Sequence, residues 1–399
     1  MFYSLYMKNK AALLMQKVDF DIISYVCFTF LGYFLIGLPL AIIPIFITKT
    51  LGFSELIAGI VISLQYITTF LMRGYAGKIV DTKGPKPAVL NSMLFYVICG
   101  ILLYLCHYFE TNAFLALTIL VLARLVTGCA EGMVGASPIN WAILKVGKQH
   151  TAKAISFNGV ASYGGLALGA PVGVIINQHY GLGAIAILTL VCGVLGYVFA
   201  KRKENIVSVA KRVEQSFMSV LKIVAPLGIC LTLAGLGFGG ISNFITLYYD
   251  YFEWKNAALC LTVFSSLFII GRIIFSNAIN KLGGIKVGII SMFFETLGLL
   301  VLFMATSPTV ALLGAGLTGI GFSLVFPALG VKAVALVSDS NKGAALAAYG
   351  LFIDISLGIT GPLVGGVISL FGMQSLFLFC SFMVLMGLFL CLYLNKLYK

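Results

Sequence analysis

Three charged side chains stand inside long apolar runs of the sequence. Asp354 lies in the segment FIDISLG, and Arg124 and Glu131 lie in RLVTGCAEG. If these runs cross a membrane, each charge costs about 2.5 to 3.5 kcal/mol at mid-depth, so it must face a partner or a water-filled cavity. A carboxyl kept from water holds its proton more readily. Proton chemistry is therefore predicted, with Asp354 as the first candidate carrier because no cation lies on neighbouring turns of its own helix.

The spacing of Arg124, Gly128 and Glu131 places all three on one face of a helix, because residues four and seven positions apart align. Such a face favours a role for Arg124 and Glu131 in proton coupling or substrate binding. The alternative is an Arg–Glu pair that only holds helices together. For Asp354 the corresponding alternative is a structural hydrogen bond to a neighbouring helix, so both interpretations stay open.

The elements that must position these residues are membrane-spanning helices. The 399 residues are 60% hydrophobic and 10% charged, whereas about a quarter of the residues in a soluble domain are charged. A spanning helix needs about 20 mostly apolar residues. An all-α protein embedded in the lipid bilayer is therefore predicted, with twelve spans at 22–48, 55–77, 88–109, 113–139, 153–176, 182–200, 223–249, 256–279, 287–305, 309–334, 343–369 and 373–395.

The spans divide into two predicted six-helix bundles, 1–200 and 223–399, joined by a hydrophilic cytoplasmic linker at 201–222. An internal repeat supports this division. A shift of 199 residues aligns Arg73, Asp81 and Gly84 with Arg272, Asn280 and Gly283, all expected in the loop after the second span of each half. A shift of 191 residues aligns Gly128 with Gly319 and Pro171 with Pro362. Parallel repeats with a site between them are a known transporter architecture.

The formal net charge of +13 is distributed as in a membrane protein, so it does not indicate a nucleic-acid partner. Of the 26 Lys and Arg, all but Lys49, Lys255 and Arg124 fall in segments assigned to the cytoplasm. This positive-inside asymmetry predicts cytoplasmic N- and C-termini. The nine cysteines show no C-x-x-C spacing and the three histidines lie near different loops. No metal, nucleotide or other cofactor is expected.

The segment GKIVDTKGPK, from Gly77 to Lys86, resembles the loop signature of the major facilitator superfamily, and RLVTG resembles the superfamily's fourth-helix motif. The resemblance implies the superfamily (MFS) fold of twelve helices in two pseudo-symmetric halves. It also implies a functional monomer that moves a small-molecule substrate by alternating access. In the superfamily the loop aspartate, here Asp81, is thought to brace the cytoplasmic ends of the halves, near the positively polarised start of a helix.

Conformational gating is expected at the small residues of these motifs. Span five carries GGLALGAPVG, which is similar to the G-x-x-x-G-P-x-x-G-G motif of antiporter branches, although Ala170 intervenes before Pro171. Span eleven carries the cleaner version, GPLVGG. Small residues allow close helix packing, and proline adds a bend. The expected gating residues are Gly77, Asp81, Gly84, Gly169, Pro171, Gly361 and Pro362.

A substrate site is expected at mid-depth on several spans. By depth and helix number, its candidate residues are Arg124, Glu131, Gln65, Tyr66, Tyr163, Asn243, Phe326 and Asp354. Aromatic and amide side chains also pack or bond helices together, so that alternative stays open. Glu295 lies in span nine, which the resemblance assigns to the bundle periphery, and its role is open. GLGFGG follows no strand, so it does not indicate a dinucleotide site, and no enzyme activity is predicted.

Further segments, IGLPLAIIP, FITLYYD, GFSLVFPALG and SLGITGPL, resemble the YhhS/YfcJ-type branch of bacterial efflux permeases. This resemblance implies a proton-coupled antiporter of the bacterial inner membrane that exports a drug, a sugar or a metallophore-like molecule. Symport or facilitated import of a small anionic solute suits Arg124 equally well. A membrane sensor without transport is a third alternative, which the retained intramembrane charges disfavour.

Overall fold

The computed structural model describes residues 2–207, 217–275, 277–338 and 341–398, and this part of the chain is almost entirely helical. A π-helical turn spans Phe46–Thr50, and a 3-10 turn spans Lys148–His150. No β-strand occurs in the described residues, and the all-α prediction is confirmed. The α-helices are α1 (Phe2–Leu40), α2 (Ile43–Ile45), α3 (Glu55–Lys83), α4 (Pro85–Tyr108), α5 (Ala113–Val134), α6 (Ser137–Val146), α7 (Thr151–Arg202), α8 (Phe217–Tyr251), α9 (Ala257–Phe275), α10 (Ala278–Leu282), α11 (Gly284–Phe303), α12 (Pro308–Ser323), α13 (Val325–Ala335), α14 (Lys342–Phe371) and α15 (Ser375–Leu397).

Twelve passes across a bilayer result from these helices. Within the described residues, 11 helical segments are long and apolar enough to cross a membrane. One of them, Lys153–Arg202, has 50 residues and is therefore about 75 Å long at 1.5 Å per residue, more than twice the thickness of the hydrocarbon core. Gly181 interrupts it with a φ of 72°, a conformation that glycine adopts readily. The long helix α7 therefore supplies two passes, and the predicted fold of about twelve spans is confirmed.

The predicted boundary of the second span is wrong in a way that affects function. The sequence prediction ended this span at residue 77, and the repeat alignment assigned Arg73 to the following loop although the predicted span contains it. In the structure α3 continues to Lys83 and turns only at Gly84. Apolar residues such as Ile79 and Ala76 are buried on one face of this extension, so charged residues on the other face do not end the helix. Arg73 consequently lies inside the helix, ten residues before its end.

Each half packs largely on itself, and two helix pairs join the halves. In the first half α7 packs against α1 and α4, and α5 packs against α3 and α4. In the second half α14 and α15 pack against α8, and α12 packs against α9 and α11. The largest contacts between halves are α3 with α14 and α7 with α9. Helices α7 and α8 extend into the predicted linker, to Arg202 and from Phe217, and residues 208–216 lie outside the described part.

The two ends of the bundle differ in how closely the halves approach. We call the end where α7 finishes and α8 begins the linker end, and the other the far end. At the far end a Cβ on Gly361 would lie 2.1 Å from the backbone oxygen of Gly59. Thr246 donates a hydrogen bond to the Ala41 carbonyl, and Lys49 pairs with Asp250 at 2.7 Å. The far end is therefore closed by backbone contact between α3 and α14 together with polar contacts between the α1–α2 region and α8.

Replacing Gly361 by alanine tests the far-end contact. The added methyl group would overlap the Gly59 carbonyl and Ser63 Oγ, and such overpacking costs about 1 to 3 kcal/mol. Gly366→Ala is the matched control, because the nearest atom to its added Cβ is 3.9 Å away. We expect Gly361→Ala to lower the thermal unfolding temperature in detergent, while Gly366→Ala leaves it unchanged or raises it. Equal unfolding temperatures for the two variants would contradict the close contact.

Candidate functional site

A cavity of about 300 Å³ lies between the two halves. Its first-half wall comes from α1, α3, α5, α6 and α7, and its second-half wall from α8, α13 and α14. Residues near the starts of α7 and α14, among them Thr151 and Leu346, line it, so the cavity extends towards the linker end. Its charged and hydroxyl-bearing lining residues are Tyr33, Arg73, Glu131, Thr151, Ser162, Tyr163 and Asp354.

An ion pair between Arg73 and Asp354 crosses the cavity wall from one half to the other. The Nη2 atom of Arg73 on α3 lies 2.6 Å from Oδ2 of Asp354 on α14. The Asp354 side chain is 7% exposed and that of Arg73 22% exposed. The sequence shows no cation on the neighbouring turns of the Asp354 helix, but a cation from the other half pairs with Asp354. Asp354 is therefore a buried carboxylate whose charge holds two separately packed bundles together.

Glu131 forms a second polar cluster on the same cavity. Its Oε2 accepts hydrogen bonds from Nε2 of Gln65 at 2.7 Å and from Oγ1 of Thr69 at 2.9 Å. Both donors lie on α3, and both side chains are buried. Gln65 and Thr69 occupy successive turns of that helix, so one face of α3 fixes the carboxyl in place. Hydrogen bonds to the ionised form stabilise a carboxylate.

Arg124 lies outside the cavity wall. Its Nη2 donates to the Ile62 carbonyl at 3.5 Å, while Nε and Nη1 have no hydrogen-bond partner in the described part of the chain. A Cβ on Gly128 would lie 2.0 Å from the Gln65 carbonyl oxygen. Arg124, Gly128 and Glu131 thus all face α3, as their spacing predicted. Among the described residues Arg124 makes no ion pair with Glu131.

The other predicted substrate residues separate into two groups. Tyr163 and Phe326 line the cavity, and their ring centroids lie 5.4 Å apart. Tyr66 instead lines an apolar groove between α3 and α14. Gln65 does not line the cavity, but it donates a hydrogen bond to Glu131, which does. Asn243 is buried, donates to the Gly239 carbonyl of its own helix at 2.9 Å, and does not line the cavity.

The predicted gating residues also differ in position. Asp81 is exposed and makes no ion pair or hydrogen bond within the described residues, so its bracing role stays a prediction. Gly77 is exposed and has open space around it. Gly84 ends α3 with a φ of 86°. Gly169 packs on the Phe34 carbonyl of α1, within the first half.

The proline motifs occupy different surroundings. Pro171 lies inside α7. Pro362 lies inside α14 and lines the apolar groove between α3 and α14. Its neighbour Gly361 makes the far-end contact with Gly59. Of the seven predicted gating residues, Gly361 is thus the one whose backbone packs directly on the other half in the described part of the chain.

Glu295 is a buried carboxyl remote from the cavity. It is 0% exposed, and neither side-chain oxygen has a hydrogen-bond partner among the described residues. Its Oε1 lies 2.7 Å from where a Cβ on Gly237 of α8 would stand. Helices α8 and α12 therefore enclose Glu295 within the second half, away from the interface between halves.

The sequence prediction missed Arg73 and Tyr33, which line the same cavity as Asp354. The hydroxyl of Tyr33 and Nη2 of Arg73 lie 3.5 and 3.7 Å from where a Cβ on Gly135 would stand, so they share one part of the wall. A usable signal was present, because Arg73 is followed by further apolar residues up to Val80. A charge flanked on both sides by apolar residues indicates a position inside a span.

Among the residues that line the cavity, two carboxylates and one guanidinium leave one excess negative charge when all three are ionised. Asp354 and Glu131 each supply one negative charge, and Arg73 supplies one positive charge. An uncompensated charge in an apolar protein interior is costly. One proton or one monovalent cation would neutralise it.

Comparison with known families identifies relatives of the whole chain. A family model described as Major Facilitator Superfamily matches residues 25–283 and 227–397. An uncharacterized MFS-type transporter of Pseudomonas aeruginosa strain UCBPP-PA14 is 49% identical over 381 residues, covering 96% of this chain and 94% of the relative. Another from Burkholderia pseudomallei strain 1106a is 48% identical over 358 residues, covering 90% and 88% respectively.

Solved structures share the fold at low sequence identity. The crystal structure of the human organic anion transporter MFSD10 superposes with a TM-score of 0.70 at 16% identity, covering 93% of this chain and 99% of that one. The nucleoside transporter NupG superposes with a TM-score of 0.70 at 15% identity, covering 94% and 99%. At these identities the likeness concerns the fold alone.

Removing one partner of the Arg73–Asp354 pair should destabilise the protein more than removing both. Arg73→Gln leaves a buried carboxylate unpaired, which we expect to lower the free energy of unfolding by about 3 kcal/mol. The double variant Arg73→Gln, Asp354→Asn removes both charges and should recover most of that loss. Unfolding of the unaltered protein, Arg73→Gln, Asp354→Asn and the double variant would be measured in detergent at alkaline pH, where the carboxyl stays ionised. Additive losses in the double variant would contradict a direct pair.

Proposed function

The chain belongs to the major facilitator superfamily of multi-pass membrane transporters, and from that premise we propose that it is a proton-coupled antiporter that exports a cationic small molecule. The observation that carries the proposal is the excess negative charge of the cavity between the halves. A proton on Asp354 and a cation in the cavity compete for that charge. Competition of this kind exchanges one for the other, because each is carried when the other is absent.

The Arg73–Asp354 pair supplies the conformational part of the proposal. While Asp354 is ionised, its attraction for Arg73 draws α14 towards α3 across the interface. Protonation removes the charge and leaves a hydrogen bond at most, so the halves separate more easily at this depth. A cation that pairs with Asp354 frees Arg73 in the same way, and Glu131 lines the same cavity as a second acceptor for it. Proton and cargo thus act on one contact between moving parts.

Direction and location follow from the same proposal. The positive-inside distribution supports cytoplasmic termini in a bacterial inner membrane, which makes the linker end cytoplasmic. The cavity then receives cargo from the cytoplasm, and the inward proton gradient drives its export. Membership of the YhhS/YfcJ-type branch remains a prediction from sequence resemblance.

Import of an anionic solute together with protons is the second candidate. The unpartnered Nε and Nη1 atoms of Arg124 favour it, because a buried cation without a partner attracts an anion. Arg124 lies outside the cavity wall, however, and its Nη2 contacts the α3 backbone. The excess charge of the cavity itself is negative, so we favour cation export.

The test uses carboxyl-to-amide variants at Asp354 and at Glu295. Protein is reconstituted in liposomes with an acidic lumen, and lumenal pH is followed while ethidium, choline or benzyltrimethylammonium is added outside. These permanently charged cations carry no proton themselves. We expect an alkaline shift in the lumen with at least one of them. Asp354→Asn should reduce this cation-dependent proton flux roughly tenfold or more, because the group that exchanges the proton is gone.

Glu295→Gln is the matched control, since it makes the same chemical change in a buried carboxyl that does not line the cavity. It should retain the flux within about a factor of two, which is a small change in a transition-state energy. Full proton flux in a folded Asp354→Asn variant would refute the proposed role of Asp354. A cargo-dependent acid shift driven by anions instead would favour the symport alternative.

A further inference from the structure

A second cation crosses the interface on the opposite side of the cavity. Arg272 on α9 donates from Nη1 to the Gly159 carbonyl on α7 at 3.2 Å. Its guanidinium also lies over the ring of Tyr163, 4.8 Å from the centroid. Gly159 and Tyr163 line the cavity. This arginine of the second half therefore binds the first half beside the cavity, as Arg73 of the first half binds the second.

The internal repeat relates these two contacts residue by residue. The shift of 199 that aligns the second spans takes Arg73 to Arg272. The shift of 191 that aligns the fifth and eleventh spans takes Tyr163 to Asp354. Arg73 thus meets Asp354, which is the repeat counterpart of Tyr163. Arg272 in turn meets Tyr163, which is the repeat counterpart of Asp354. The two contacts are one motif used twice, and they differ in the chemistry of a single position, a phenol at 163 and a carboxyl at 354.

We propose that Arg272 and Tyr163 form a second clasp between the halves, the counterpart of Arg73 and Asp354, and that its phenol limits coupling to one proton per cycle. The inference rests on the proposed function. A phenol keeps its proton at neutral pH, whereas a carboxyl exchanges one. The cation–π contact and the hydrogen bond to Gly159 hold without any ionisable acid. Of the two clasps, only the one between α3 and α14 then exchanges a proton. Tyr163 and Arg272 position the halves at the contact between α7 and α9.

Placing a carboxyl at position 163 tests this clasp directly. Tyr163→Asp gives Arg272 an ionisable partner and should create a second proton-exchanging pair. In liposomes, with the cation that gives the largest flux in the unaltered protein, the number of protons exchanged per cation should rise from one towards two. Tyr163→Asn is the matched control, because asparagine has the size of aspartate but no ionisable group. It should leave the number of protons exchanged per cation unchanged.

The decisive variant combines Tyr163→Asp with Asp354→Asn. If the clasps are equivalent, proton exchange lost in Asp354→Asn returns in this double variant, with a pH profile that the Tyr163→Asn, Asp354→Asn protein lacks. A folded double variant that behaves like its Asn control overturns the inference. Failure of the proposed function is distinguishable, because it appears earlier, as undiminished proton flux in Asp354→Asn alone.

A proton-independent measurement covers the case in which position 163 does not accept aspartate. Spin labels at Val160 on α7 and Ile270 on α9, both exposed, report the distance across the second clasp. Arg272→Gln should broaden or lengthen this distance distribution at every pH. In the labelled protein that keeps Arg272, a change of pH alone should leave the distribution unaltered. An unchanged distribution in Arg272→Gln would overturn the clasp.

Discussion

Attraction between Arg73 and Asp354 acts where the two six-helix bundles meet inside a bilayer. Water is scarce at this depth, so the attraction between two charges is strong and an unpaired charge is costly. The Arg73 side chain is nevertheless 22% exposed and that of Asp354 7% exposed, because both line the cavity. In the proposed antiport, this combination of strong attraction and restricted access is what lets one proton or one cation act on the contact. A fully buried pair would be inaccessible, and a surface pair would be screened by solvent.

Backbone contact between small residues and hydrogen bonding along one face of α3 place that pair. Gly59 and Gly361 let α3 and α14 touch at the far end. Gly128 lets α5 approach the Gln65 backbone, and this approach brings Glu131 within reach of Gln65 and Thr69. Helix α3 therefore contacts Glu131, Asp354 and the far-end seal at once. Movement of this helix relative to α14 changes both the cavity and the seal.

Local patterns in the sequence predicted those features that depend on one helix. Apolar runs gave the spans, and spacing gave the shared face of Arg124, Gly128 and Glu131. Depth and helix number predicted Tyr163 and Phe326 as substrate-binding residues, and both line the cavity. The partner of Asp354 could not be found this way, because Arg73 is remote in sequence and their pairing depends on how α3 and α14 cross. Arg73 was also misplaced, because the alignment of the two halves assigned it to the loop after the second span together with Asp81 and Gly84. Asp81 was expected to bridge the halves, but such a contact requires them to approach at the linker end.

Infrared difference spectroscopy tests the central claim most directly, because a protonated carboxyl has a C=O stretch separate from that of a carboxylate. The reconstituted protein would be shifted from alkaline to acidic pH, and the cation that drives proton flux would then be added. We predict that the acid shift produces a protonated-carboxyl band, that the cation removes it, and that the band is missing in Asp354→Asn. A band that persists in Asp354→Asn and still responds to the cation would contradict the account, because proton and cargo would then compete at another group.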